Sequence, residues 1–127
     1  MNFQNCYHNF FLLLIRIIQC DSMVFTKAKY LFIVRVDVDP KDEKRFNDWY
    51  NTEHIPTMTK VSGVLGAYRY CSVDGSSPKY TAIYEWEHGD IRTSIEWKKA
   101  AEISPWPKDM HLSNISYTVN KLITPEK

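Results

Sequence analysis

Residues 30–38 constrain the fold more than any other part of the chain. They read YLFIVRVDV, in which apolar residues alternate with a mixed set. Because successive side chains on a β-strand point to opposite faces, the alternation predicts a strand with one apolar face. That face carries Tyr30, Phe32, Val34, Val36 and Val38. Asp39 and Pro40 follow at once, and they are typical of a helix N-cap and first helical position. A strand that leads directly into a helix is therefore predicted.

The predicted helix runs over residues 41–52. Phe46, Trp49 and Tyr50 are spaced i, i+3 and i+4, which predicts a buried stripe. Pro56 disfavours a helical residue before it, so we expect the helix to end near there. A short helical piece over 56–61 is expected to follow, before Gly63.

The remaining elements complete a recognisable order. Residues 63–72 and 79–86 predict two strands of a hairpin, and Asp90 is expected to cap a second helix over 91–102. A last strand is predicted over 115–123. The order β-α-β-β-α-β is that of an α+β, ferredoxin-like fold: one antiparallel sheet with two helices on one face. The other sheet face would be half apolar, so we expect two sheets to pair in a homodimer. A monomer with an open sheet, as in RNA-binding domains, is the alternative.

The charge balance argues against a nucleic-acid partner. Sixteen basic and fifteen acidic residues give a formal charge of +1 in a chain of 127 residues. Nucleic-acid binders usually carry a basic excess on one face. Three cysteines without regular spacing, Cys6, Cys20 and Cys71, fit a reducing compartment, so a cytoplasmic location is expected.

Residues 1–22 form an apolar N-terminal extension that we expect not to belong to the domain. The run over 9–18 reads NFFLLLIRII, shorter than the roughly 20 apolar residues of a membrane span. We therefore interpret Met23 as the natural start and 23–127 as one domain, with no membrane association expected for it. A segment that lies on a membrane surface is the alternative for the extension.

The segment FNDWYNTEHIPTMTKVSGVLGAYRY over residues 46–70 resembles the EthD-like branch of the dimeric α/β-barrel superfamily. The resemblance lies in the W-Y-x-x-E-H-I-P cluster, the later Ser62-Gly63-Val64, and Arg69-Tyr70. It implies a homodimer whose sheets form a barrel, with a cavity between each sheet and its helices or loops. The superfamily includes cofactor-free monooxygenases, polyketide cyclases, lactone isomerases and heme-handling proteins, and a fold does not choose among these.

His54 is the candidate catalytic residue. We expect it at a helix C-terminus, where the helix dipole favours the protonated ring and raises the pKa. Glu53 or Asp48 would orient the imidazole, which would act as a general base on a phenol or an enolisable carbon. The alternative is that His54 only caps its helix.

The candidate ligand-binding residues are aromatic, with one arginine: Trp49, Tyr50, Arg35, Tyr68 and Tyr84. The charged strand residues Arg35, Asp37, Arg69 and Glu85 would hold a polar end of a ligand, or would form ion pairs across the dimer interface. Strand aromatics are usually core, although their number here also fits an aromatic-lined cavity.

These residues predict a protein that binds an apolar or aromatic small molecule, acting as a cofactor-independent oxygenase, isomerase or cyclase. The alternative is a non-catalytic structural or interaction module whose sheet face is only a homodimer interface. No cofactor and no metal are expected, because the chain lacks a Cys-x-x-Cys pair, metal-like His spacing and a glycine-rich phosphate loop.

A chain beginning at Met23 should fold and form the same dimer as the full chain. Native mass spectrometry of both would give the subunit count and any retained small molecule. Aggregation of the shorter chain would show that the apolar extension belongs to the fold, and a clean monomer would contradict the barrel pairing.

Overall fold

Four strands pair into one antiparallel sheet in a computed structural model that describes residues 27–125. The strands are β1 (Tyr30–Val38), β2 (Val64–Cys71), β3 (Tyr80–Trp86) and β4 (Leu112–Lys121). Their order across the sheet is β2-β3-β1-β4, and every neighbouring pair is antiparallel. This arrangement confirms the ferredoxin-like α+β fold. The interpretations of residues 1–22, with Cys6 and Cys20, and of a start at Met23 lie outside the described residues.

The helical layer consists of two runs on one face of the sheet. The first, here called the first helical run, contains a 3₁₀ turn (Pro40–Asp42), α1 (Glu43–Trp49), a π-helical turn (Tyr50–His54) and α2 (Ile55–Met58). The second contains a 3₁₀ turn (Ile91–Thr93) and α3 (Ile95–Ile103). The Asp39 carboxylate accepts a hydrogen bond from the Lys41 amide at 3.0 Å, so the predicted cap is confirmed.

The core lies between the sheet and these helices. Alternate side chains along β3 and in the middle of β1 are buried there, as the alternation predicts. The buried positions of these two strands are Phe32, Val34, Val36, Tyr80, Ala82, Tyr84 and Trp86. From the helices, Phe46 and Tyr50 are fully buried and Trp49 is half-buried, which confirms the predicted stripe. The Phe32 ring stacks on Trp86 with 4.7 Å between centroids.

The predicted break between a helix over 41–52 and a helical piece over 56–61 is wrong, because one helical run continues to Met58. All residues from Tyr50 to Thr59 keep helical backbone angles through the π turn, and the Ile55 amide bonds the Tyr50 carbonyl five residues back. Proline has no N–H and its ring would collide with the carbonyl four residues earlier. The wider π turn directly before Pro56 opens the regular pattern and lets the helix continue. His54 therefore lies inside a helical run and not at its end.

Two other boundaries also differ from prediction. Ser94, not Asp90, caps the second helix, because its hydroxyl accepts a hydrogen bond from the Trp97 amide. The last strand begins at Leu112, three residues before the predicted start at Ile115. Asn114 has a φ of +52°, and the pairing with β1 shifts by a residue beside it. This bulge interrupts the alternation from which the strand was predicted.

Gly63→Ala should destabilise the protein more than Gly75→Ala. Both glycines have φ above +80°, a conformation that costs an L-residue about 1–2 kcal/mol. A Cβ at Gly63 would also lie 2.6 Å from Ile91 Cδ1, whereas at Gly75 it would meet nothing within 4 Å. Overpacking adds about 1–3 kcal/mol at Gly63 alone. Denaturant unfolding of both variants measures the difference, and equal losses would mean that Ile91 moves aside freely.

Candidate functional site

A cavity of about 570 Å³ opens between the sheet and the two helical runs. Its deep wall is formed by buried side chains, and its rim includes charged side chains and the loop that follows α3. The lining residues used below are Phe32, Tyr50, His54, Tyr84, Trp97, Trp106 and Tyr117. Such a volume is within the range of small-molecule sites. A second hollow, of about 430 Å³, lies at the other side of the sheet near Leu31 and Leu122, and Glu85 is the one candidate residue that lines it.

His54 is held by one residue of the facing loop. Its Nδ1 lies 2.9 Å from the carbonyl oxygen of Ser104 and 3.0 Å from the hydroxyl of the same residue. A carbonyl oxygen only accepts, so we assign the proton of the neutral ring to Nδ1. Nε2 then carries the free lone pair, and it makes no hydrogen bond to any residue from 27 to 125. His54 lines the cavity, so this nitrogen is the basic atom of the site.

The expected rise in the pKa of His54 is wrong. Burial disfavours the charged ring and lowers the pKa to about 4, against the opposing hydrogen bond to Ser104. The expected dipole effect is missing because the helix continues past this residue. Asp48 bonds Lys44 instead, and Glu53 is exposed. Ser104 thus orients the ring in place of a carboxylate.

Tyr50 and Tyr84 add two phenol groups to the cavity wall. Their hydroxyl oxygens lie 3.3 Å apart in the buried interior. Burial raises the pKa of Tyr50 to about 12 and that of Tyr84 still further. Both phenols therefore stay protonated at neutral pH, and each can donate or accept a hydrogen bond.

Arg69 packs its guanidinium against the ring of Tyr50. Its guanidinium lies 4.3 Å from the centre of the Tyr50 ring and donates hydrogen bonds to the side-chain oxygens of Asn47 and Asn51. The register places Arg69 opposite Ala82, on the helix side of the sheet. The prediction placed it in one ligand or interface set with Arg35 and Glu85, and the structure separates them because those two residues lie on the other face.

Trp49 and Trp106 enclose His54. The Trp49 ring stacks on the imidazole with 4.7 Å between centroids, and Trp106 lies at 6.1 Å. The Trp106 indole also donates a hydrogen bond of 2.8 Å to the Tyr117 hydroxyl, which links the loop to β4. Trp106, Ser104 and Tyr117 were not predicted as site residues. Only the position of Trp106 between Pro105 and Pro107 could have pointed to this loop.

The predicted site residues separate into two groups. Trp49, Tyr50, His54 and Tyr84 come together on the helix side. Arg35 and Tyr68 lie on the opposite side of the sheet, here called the open face, because Arg35 alternates with buried residues of β1 and Tyr68 pairs with Ile83 of that face. There the Arg35 guanidinium reaches the Pro78 carbonyl at 3.4 Å, and Tyr68 is half exposed. These two residues therefore do not line the cavity, and Trp49 contacts His54 without lining it either.

Residues 27–125 contain neither a metal-like cluster nor a helix that could span a membrane. No group of three or more His, Cys, Asp or Glu side chains there could hold a metal ion. Within 27–125 there is also no helix that is long and apolar enough to cross a membrane.

Comparison with known proteins identifies relatives in structure. An EthD family protein from Bacillus halodurans superposes with a TM-score of 0.53 at 12% identity, over 74% of this chain and 99% of that chain. The heme-degrader MhuD from Mycobacterium tuberculosis, with two hemes bound in its active site, gives a TM-score of 0.60 at 12% identity, over 76% and 97%. A candidate antibiotic biosynthesis monooxygenase from Bordetella bronchiseptica gives 0.54 at 15% identity, over 76% and 99%.

These likenesses confirm the fold that the sequence resemblance implied, that of EthD-like and related α/β-barrel proteins. No protein-family model and no curated protein matches the chain.

The pKa of His54 predicts a loss of stability in mild acid. Its value of about 4 in the folded protein lies below the ordinary 6.5 of an unfolded chain, so between these pH values the unfolded state binds more protons. Stability should therefore fall as the pH drops from 6.5 towards 4, at up to about 1.4 kcal/mol per pH unit. Denaturant unfolding at several pH values should show this slope in the wild type and in His88→Gln, an exposed control. His54→Gln should flatten the slope above pH 5, and an unchanged slope would contradict the assignment.

Proposed function

We propose that this protein binds an apolar or aromatic small molecule in the cavity on the helix side. The observation that carries the proposal is the free Nε2 of His54 in a pocket that six other aromatic side chains help to line. The cavity has the size for a ligand of several fused or linked rings, and its deep wall offers Phe32, Tyr84 and Trp97 as stacking surfaces. Nε2 and the Tyr50 hydroxyl would fix the orientation of a polar group.

The structural neighbours support this proposal. MhuD holds two hemes in its active site, and heme is a large planar aromatic ligand. The neighbour from Bordetella bronchiseptica is a candidate monooxygenase of antibiotic biosynthesis. The fold thus accommodates aromatic ligands in other proteins, although sequence identities near 12% carry no substrate across.

The proposed chemistry is proton abstraction by His54. Nε2 would take a proton from a phenol or from a carbon beside a carbonyl, and the electron pair would remain on the substrate as an oxyanion. Neutral Tyr50 could donate a hydrogen bond to that oxyanion, with Arg69 on its far side favouring the negative charge. A base with a pKa near 4 removes only a rather acidic proton, so an acidic phenol or 1,3-dicarbonyl is the fitting substrate. Such a step suits a cofactor-independent oxygenase, isomerase or cyclase.

We also propose that two chains pair through their open faces. Leu31, Ile33 and Ile83 alternate with the buried core residues and point to that side, and Tyr68 and Tyr70 are more than half exposed. A partly apolar sheet face of this kind is typical of an interface. Arg35, Glu85 and Tyr68 would then contribute to the contact between subunits and not to the ligand.

A second candidate function is a non-catalytic module. The observation that favours it is the bond between His54 and Ser104, which ties the first helical run to the loop after α3. In that case His54 would be a structural link and the cavity a packing defect.

His54→Ala separates the two candidates. For a binding site, calorimetry with 2-naphthol should show a three- to tenfold loss of affinity, the value of about one hydrogen bond, in a protein whose melting temperature changes little. For a structural link, the melting temperature should drop by several degrees with no change in the binding of 2-naphthol. His88→Ala, which removes an exposed imidazole, is the matched control. Absence of 2-naphthol binding by the wild type would contradict the proposed function.

A further inference from the structure

Two cations stand at the rim of the cavity without a carboxylate partner. Arg92 and Lys98 both line it and are both exposed. Neither forms a salt bridge with any residue of the described chain, whereas Lys44, Arg45 and Lys79 do. Unpaired cations beside an apolar cavity can bind an anionic group of a ligand without first breaking an internal ion pair.

Arg92 is fixed by the aromatic wall. Its guanidinium lies 4.7 Å from the centre of the Tyr117 ring and 5.7 Å from that of Phe32, within the range of cation–π contacts. Both rings line the cavity. The guanidinium is therefore held over the aromatic surface on which a flat ligand would stack, and its donors remain available.

The charged residues at the rim have a net positive charge. Glu102 is the acidic residue that lines the cavity, so Arg92, Lys98 and Glu102 together carry two positive charges and one negative, a net +1. The deep wall carries no charge at neutral pH, because His54 is neutral and both tyrosines are protonated. The cavity therefore has an uncharged, largely aromatic interior, and its charged side chains lie at the rim, where the net charge is positive.

We infer that the ligand is an aromatic compound with one anionic group, an aromatic carboxylate being the simplest, whose carboxylate is held by Arg92 and Lys98. Its ring system lies against Phe32 and Tyr117, and a hydroxyl or carbonyl at its far end meets His54 and Tyr50. The planar guanidinium matches a carboxylate in two parallel hydrogen bonds. The inference rests on the proposed function, since it assumes that the cavity binds a small molecule.

A pair of probes that differ only in the carboxylate tests the inference on the full chain. Calorimetry should show 6-hydroxy-2-naphthoate binding at least tenfold more tightly than 2-naphthol. The double variant R92Q/K98Q should lose at least tenfold in affinity for 6-hydroxy-2-naphthoate and stay within twofold for 2-naphthol. E102Q should bind 6-hydroxy-2-naphthoate two- to threefold more tightly, because it removes a repulsive charge.

K60Q/K99Q is the matched control. Lys60 and Lys99 line a separate surface groove, so this variant removes the same total charge away from the cavity. It should leave both affinities unchanged. If Arg92 proves necessary for folding, as a lowered melting temperature would reveal, K98Q and E102Q still give shifts of opposite sign.

The outcomes distinguish the inference from the function on which it rests. Equal affinities for the two probes, or an equal loss in R92Q/K98Q and K60Q/K99Q, would overturn the anionic ligand and leave a binding cavity in place. Failure of the wild type to bind either probe would overturn the proposed function as well.

Discussion

The burial of every second side chain on β1 and β3 is the constraint on which the rest of the structure depends. These two strands lie at the centre of the sheet, so their alternation decides which face receives the helices. Phe32, Tyr84 and Trp86 then form the aromatic floor on which Tyr50 and Trp97 pack. A shift of one residue in the β1–β3 register would turn this floor outwards and remove both core and cavity. The side chains between these buried positions point to the other side of the sheet and form the open face.

The π turn at Tyr50–His54 places the candidate base, His54, at the cavity. Pro56 cannot supply an N–H to a regular helix, and the wider turn before it rotates the following residues relative to an unbroken α-helix. His54 thereby reaches the Ser104 carbonyl, and its other nitrogen is left free at the cavity. Ser104 is itself buried. Its hydrogen bond to His54 joins two parts of the chain that are fifty residues apart. The incompatibility of Pro56 with a regular α-helix thus determines where His54, the candidate base, is placed.

Most of the fold could be predicted from the sequence, because it depends on periodicity. Strand alternation and the stripe of Phe46, Trp49 and Tyr50 are properties of neighbouring residues, and they hold in the structure. The site could be predicted only in part. His54, Trp49, Tyr50 and Tyr84 meet because they belong to these periodic elements. Ser104 and Trp106 come from an irregular loop, whose path is set by packing that no local pattern encodes. Arg69 and Arg35 entered one predicted set because both are charged residues of predicted strands, although only the register between strands assigns their faces.

Burial and basicity oppose each other in this cavity. The aromatic walls that make it attractive to an apolar ligand also remove water from His54, and the same desolvation lowers the pKa of the imidazole to about 4. A strongly basic histidine would need a carboxylate partner or solvent, and either would make the interior more polar. The site keeps instead a neutral hydrogen-bonding atom at depth and leaves its charges at the rim, where water still solvates Arg92 and Lys98. Recognition by such a site depends on where a ligand carries its charge as much as on its shape: a neutral ring system can enter, and an anionic group is held at the entrance.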